Sequence, residues 1–103
     1  MLGGVEYYAD AEGGAYLEDP THTDLVGLIQ DLDQTSNTFV VLYPGDETRE
    51  WFISVATHRG ALGGYEIERH DPDTDPDQAR PTKTPAAVPT DIATDILAWI
   101  SRR

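Results

Sequence analysis

Apolar and polar residues alternate, cluster and space out along this chain in ways that predict its elements. Val5-Glu6-Tyr7-Tyr8-Ala9 is rich in strand formers and runs into the turn residues Asp10 to Gly14. Ala15-Tyr16-Leu17-Glu18 follows, so the opening predicts a hairpin around Gly13-Gly14. From His22 to about Gln34 the period becomes helical, with Leu25, Val26, Leu28, Ile29 and Leu32 on one face. Asp19-Pro20-Thr21 precedes it. Thr21 or Thr23 supplies a capping oxygen, and Asp24 sits in the first turn, where the helix dipole favours a negative charge. Thr35-Ser36-Asn37 is the expected stop.

The middle of the chain reads as three strands. Phe39-Val40-Val41-Leu42-Tyr43 is a continuous apolar run, as expected of an interior strand covered on both faces. Pro44 to Glu47 forms a turn. Trp51, Ile53 and Val55 then alternate with Phe52, Ser54 and Ala56. After His58-Arg59-Gly60, Leu62, Tyr65 and Ile67 lie inside or half-inside while Glu66 and Glu68 alternate outward. Short connections make these strands a meander.

From His70 to Pro89 the chain turns acidic and proline-punctuated, and the expectation is an extended loop of about 20 residues. A closing helix, capped by Thr90 and opened by Asp91, carries Ile92, Ala93, Ile96, Leu97, Trp99 and Ile100 on one stripe. Arg102 and Arg103 suit its C-terminal end. The order is β-β-α-β-β-β-loop-α. It predicts a single α+β domain over residues 1–103: a largely antiparallel sheet of about five strands with two helices packed on one face.

Charge adds the one unusual feature. Asp and Glu number 19 against seven Lys and Arg, a formal charge of −12 at pH 7, and Lys83 is the sole lysine. Such a field repels nucleic acid and anionic lipid and speeds encounter with basic proteins. The same acidity also serves solubility alone. No cysteine is present, which excludes disulfides and thiolate chemistry. The first residues do not read as a secretory signal, and no apolar run approaches the roughly 20 residues of a membrane helix, so a cytoplasmic location is the expectation.

Catalytic and metal motifs are scarce. No Gly-x-Ser-x-Gly occurs, His22, His58 and His70 stand well apart, and no His-Glu-x-x-His is present. Asp71, Asp73 and Asp75 have the spacing that opens a calcium loop. Pro76, however, replaces the required glycine, and Thr82 stands where a bidentate Glu belongs. None of the three Gly-Gly pairs belongs to a phosphate-binding motif; Gly63-Gly64 marks a bulge or close backbone approach at a strand start. Glu66 and Glu68 share a strand face at roughly 7 Å, an arrangement commonly just solvated. The reading is therefore a binding protein, not an enzyme, with no cofactor. Glu66, Glu68, Asp71, Asp73, Asp75 and Asp77 are the electrostatic contacts, and Trp51 and Tyr65 the aromatic anchors, for a basic protein.

From about Tyr16 to Glu68 the chain resembles the immunity proteins of bacterial polymorphic toxin systems, especially the first-numbered Imm family, whose members accompany deaminase and other nucleic-acid-attacking toxins. The resemblance lies in a short strand, Asp24-Leu25-Val26-Gly27-Leu28-Ile29, Asn37-Thr38-Phe39-Val40-Val41-Leu42, Trp51-Phe52-Ile53-Ser54-Val55 and Gly60-Ala61-Leu62-Gly63-Gly64-Tyr65-Glu66. The last helix is a looser match, and the proline-rich stretch from Asp71 to Pro89 is a departure from the family's pattern. What the resemblance implies is an inhibitor that occludes the active site of a cognate toxin. The alternatives are an acidic regulatory or adaptor domain unrelated to toxins, and a small enzyme or calcium-binding module.

Overall fold

The computed structural model describes residues 5–57, 64–72 and 82–103. The elements are β1 (Tyr7–Ala11), β2 (Tyr16–Glu18), α1 (His22–Gln30), β3 (Phe39–Pro44), β4 (Phe52–Thr57), β5 (Tyr65–His70), β6 (Thr82–Ala86) and α2 (Pro89–Ser101). The six strands form one sheet in the order β2-β1-β3-β4-β5-β6, antiparallel at every pairing. The α+β class and the antiparallel meander are as the sequence predicts, with one strand more.

That extra strand corrects the 70–89 loop. Thr82 to Ala86 pairs with β5 through Tyr65↔Ala86, Ile67↔Thr84 and Arg69↔Thr82. Pro85 is tolerated because β6 is the sheet edge, where a missing N–H breaks no ladder. Gly64, where β5 begins, has φ +89, and a Cβ there would stand 3.0 Å from the carbonyl oxygen of Ala86. Glycine therefore lets β6 approach that closely.

Register decides which side chains meet the helices. Ala9, Ala11, Val40, Leu42, Ile53, Val55 and Ile67 are buried on one sheet face. They share a core with Leu25, Leu28 and Ile29 of α1 and with Ile92, Ala93, Ile96 and Trp99 of α2. Removing this apolar area from water supplies the main favourable term in folding. Both helices therefore cover the same face. The expectation that β3 is covered on both sides is corrected: Phe39 and Tyr43, each 37% exposed, point the other way.

The helix ends also differ from expectation. Thr21 caps α1 in a reciprocal box: its hydroxyl accepts from Asp24 N–H, and the Asp24 carboxylate accepts from Thr21 N–H at 2.9 Å. The helix stops at Gln30, short of the predicted Gln34. Asp33 then turns the chain by accepting the N–H groups of Thr35, Ser36 and Asn37 on one oxygen. Helix α2 begins at Pro89 with Val88 as its cap, ahead of the predicted Thr90, because proline has the helical φ and no donor to waste. His22 stitches the two helices, its Nε2 lying 3.1 Å from both Thr90 O and Thr94 Oγ1. No helix among the described residues is long and apolar enough to cross a membrane.

Candidate protein-binding face

With both helices on one side, the other face of the sheet has no covering layer among the described residues. Antiparallel pairing arranges its side chains in rows across the strands. One row runs Glu18, Tyr8, Tyr43, Phe52, His70. The next runs Tyr16, Asp10, Val41, Ser54, Glu68, Lys83, and a third Phe39, Ala56, Glu66, Pro85. The first row is continuously aromatic between its ends. Tyr8 lies 5.5 Å from both Tyr43 and Tyr16, and Phe52 lies 5.1 Å from His70. Such offset contacts hold rings in place at modest entropic cost.

The centre of this face is concave. Ser54 and Ala56 are small, and they lie between the larger β3 side chains on one side and the β5 carboxylates on the other. Phe39, Val41, Tyr43, Phe52, Glu66, Glu68 and Lys83 complete a hollow of about 340 Å³. Lys83 Nζ reaches Glu66 at 3.9 Å, with side chains 60% and 36% exposed. A pair that open to water contributes little. The Glu68 carboxylate makes no hydrogen bond or ion pair among the described residues.

Of the residues singled out from the sequence, Glu66 and Glu68 are on this face. The aromatic anchors are not. Trp51 is only 4% exposed and lies on the helix side, where its ring meets Trp99 edge-on at 5.6 Å. Tyr65 shares the parity of Ile67 and packs half-buried against the core. Period-two geometry forces both corrections, since neighbours of outward-facing Phe52 and Glu66 must face inward. The aromatic surface is made instead by Tyr8, Tyr16, Phe39, Tyr43 and Phe52. Their signal was present in the sequence as the residues alternating with Ala9, Leu17, Val40, Leu42 and Ile53.

Asp71 is corrected as well. Its carboxylate is fully buried and sits 2.9 Å from Arg103 Nε. The Arg103 guanidinium lies 3.7 Å from the centre of the Trp99 ring and donates to Trp99 O at 3.1 Å. Asp71 therefore anchors α2 to the end of β5 and is not presented to a partner. The same pairing engages the carboxylate that would open a calcium loop. Asp73, Asp75 and Asp77 lie outside the described residues. No group of three or more His, Asp or Glu placed to hold a metal occurs among the described residues.

Three carboxylates are held below their ordinary values by hydrogen bonds in turns. Hydrogen bonds from the Thr38 hydroxyl and N–H pull the Glu12 carboxyl below its ordinary value. The three N–H donors around Asp33 hold it at about 2. Thr48 does the same for Asp46 through its hydroxyl and N–H, and all three carboxylates are turn-forming groups. Comparison with protein-family models, with curated proteins and with solved structures finds no match to this chain.

Proposed function

We propose that this protein is an immunity protein: it binds a basic, nucleic-acid-attacking bacterial toxin in the cytoplasm and neutralises it by occluding the active site. The observation that carries the reading is the sheet face that no layer covers among the described residues, where an aromatic row and a concave apolar centre are bordered by Asp10, Glu18, Glu66 and Glu68. Interfaces that bind protein favour this combination of buried aromatic contact and polar rim. A chain of net charge −12 complements the cationic groove a toxin needs for its own substrate. The family resemblance of residues 16–68 supports the same role.

The test is capture with the tagged protein at low salt, followed by an activity assay of what is retained. A single basic protein, held in equal amount through a high-salt wash and losing its nuclease or deaminase activity at one equivalent, is the expected result. Retention of no protein whose activity the chain suppresses would remove the immunity reading and leave the acidity as a solubility device.

A further inference from the structure

We infer that the hollow at the centre of the open face receives an arginine side chain of the basic partner; this deepens the binding role proposed above and rests on it for the identity of the partner. The hollow spans from β3 to β5, two strand spacings or roughly 9–10 Å, with the small residues Ser54 and Ala56 as its floor. One wall is aromatic (Phe39 and Tyr43) and the other is acidic (Glu66 and Glu68). A guanidinium suits both walls at once. Its plane stacks on a ring, its forked N–H groups match a carboxylate, and its methylene stem covers apolar floor. A lysine ammonium satisfies the acidic wall alone and is more strongly hydrated.

Two details of the acidic wall point to a cation. Glu68 stands opposite Ser54, whose short side chain leaves its carboxylate facing the hollow with no partner among the described residues. Glu66 already holds a cation from within the chain, since Lys83 reaches it at 3.9 Å. That contact is exposed and weak, so an incoming arginine exchanges with it at little cost.

The experiment is an NMR titration of the isotope-labelled protein with N-acetyl-argininamide, repeated with N-acetyl-lysinamide. Backbone signals of Ser54, Ala56 and Glu68 are expected to move, with the lysine compound weaker by about threefold to fivefold. Lys83→Gln should tighten arginine binding, and Glu68→Gln or Ala56→Leu should abolish it. Should the leucine variant fail to fold, Glu68→Gln carries the test alone. Absence of shifts, equal response to lysine, or an undiminished response in Glu68→Gln overturns the assignment. So does a captured toxin that wild type and Glu68→Gln neutralise with the same affinity. The titration contains no toxin, so its failure removes the arginine site and leaves the immunity reading in place. Failure to find a neutralised toxin does the reverse.

Discussion

The two faces of this sheet are built from the same strands, residue by residue in alternation, yet they follow different rules. On the helix side Val40, Leu42, Ile53, Val55 and Ile67 are all 2% exposed or less, and the charge pair Asp71–Arg103 there is enclosed. On the open side Phe39, Tyr43 and Tyr16 are 37% to 53% exposed, and the charge pair Lys83–Glu66 is loose and wet. Hydrophobic character alone does not separate them. Large apolar or aromatic side chains occur on both, and what differs is whether a second layer arrived. An apolar surface with no covering layer among the described residues is where a partner can gain the burial that the helices gain on the other side.

The sharpest way to break that comparison is to cut one ion pair on each face. Asp71→Ala removes a buried carboxylate from beside Arg103 in a nearly closed site and should cost about 4 kcal/mol. Glu66→Gln removes an exposed pair and should stay within about 0.5 kcal/mol. Urea unfolding, followed by the fluorescence of Trp51 and Trp99, measures both. Similar losses would mean that the faces are not energetically distinct.

Apolar truncation gives the next largest contrast. Ile53→Ala opens a cavity under the helices and should cost about 3 kcal/mol. Val41→Ala, on the neighbouring strand and opposite face, should cost under about 1 kcal/mol. Comparing thermal midpoints of the two variants checks this. Tyr43→Ser should lower stability by only about 0.5–1 kcal/mol, the scale of a lost cross-strand pair. The same change should weaken capture of the partner at least about tenfold, as truncation of a central aromatic anchor does. A Tyr43→Ser protein that unfolds but binds normally when folded would take the open face out of the interface.

The smallest effect lies outside both faces. Asp33 has a folded-state pKa of about 2 because Thr35, Ser36 and Asn37 donate to its carboxylate. A depressed pKa contributes stability that is present above the unfolded carboxylate value and fades as pH falls through about 2. The stability gap between wild type and Asp33→Ala should thus be constant above pH 5 and shrink on acidification below pH 4. A gap that widens in acid would show that the turn is held by something else.

Much of the architecture was legible because period and composition agree at the long elements. The three-strand meander, both helices and the first hairpin announce themselves through alternation, a 3.6-residue stripe and turn residues. The misses have local causes. Strand β6 hides because Thr82-Lys83-Thr84-Pro85-Ala86 has no large apolar residue, and only its edge position makes Pro85 acceptable. The run Phe39 to Tyr43 reads as doubly covered because exposed aromatics look like buried ones in sequence. On the open face, Glu66 and Glu68 are legible through their alternation, whereas Trp51 and Tyr65 have the chemistry of anchors and the parity of core residues.

Gly45 illustrates a further limit. A Cβ at this position would collide with the carbonyl oxygen of Val5, a residue distant in sequence, so the need for glycine comes from a neighbour that no local pattern names. Asp19 is similar. It adopts φ 47 and turns its carboxylate back onto the N–H groups of Glu6 and Tyr7, fixing β2's exit against β1's entry.

By itself, the sequence determined the class of fold, the helix faces and their shared side of the sheet, the alternation of β4 and β5 and the strongly negative field, because each depends on local periodicity or on simple counting. Tertiary structure alone decided that β6 closes the sheet, that one face of β3 is left to its aromatic side chains, that Asp71 turns inward to Arg103, and that Ser54 and Ala56 form a hollow beneath aromatic and acidic walls. Those outcomes depend on contacts between residues far apart in the chain, and on which of two alternating faces finds a layer to cover it.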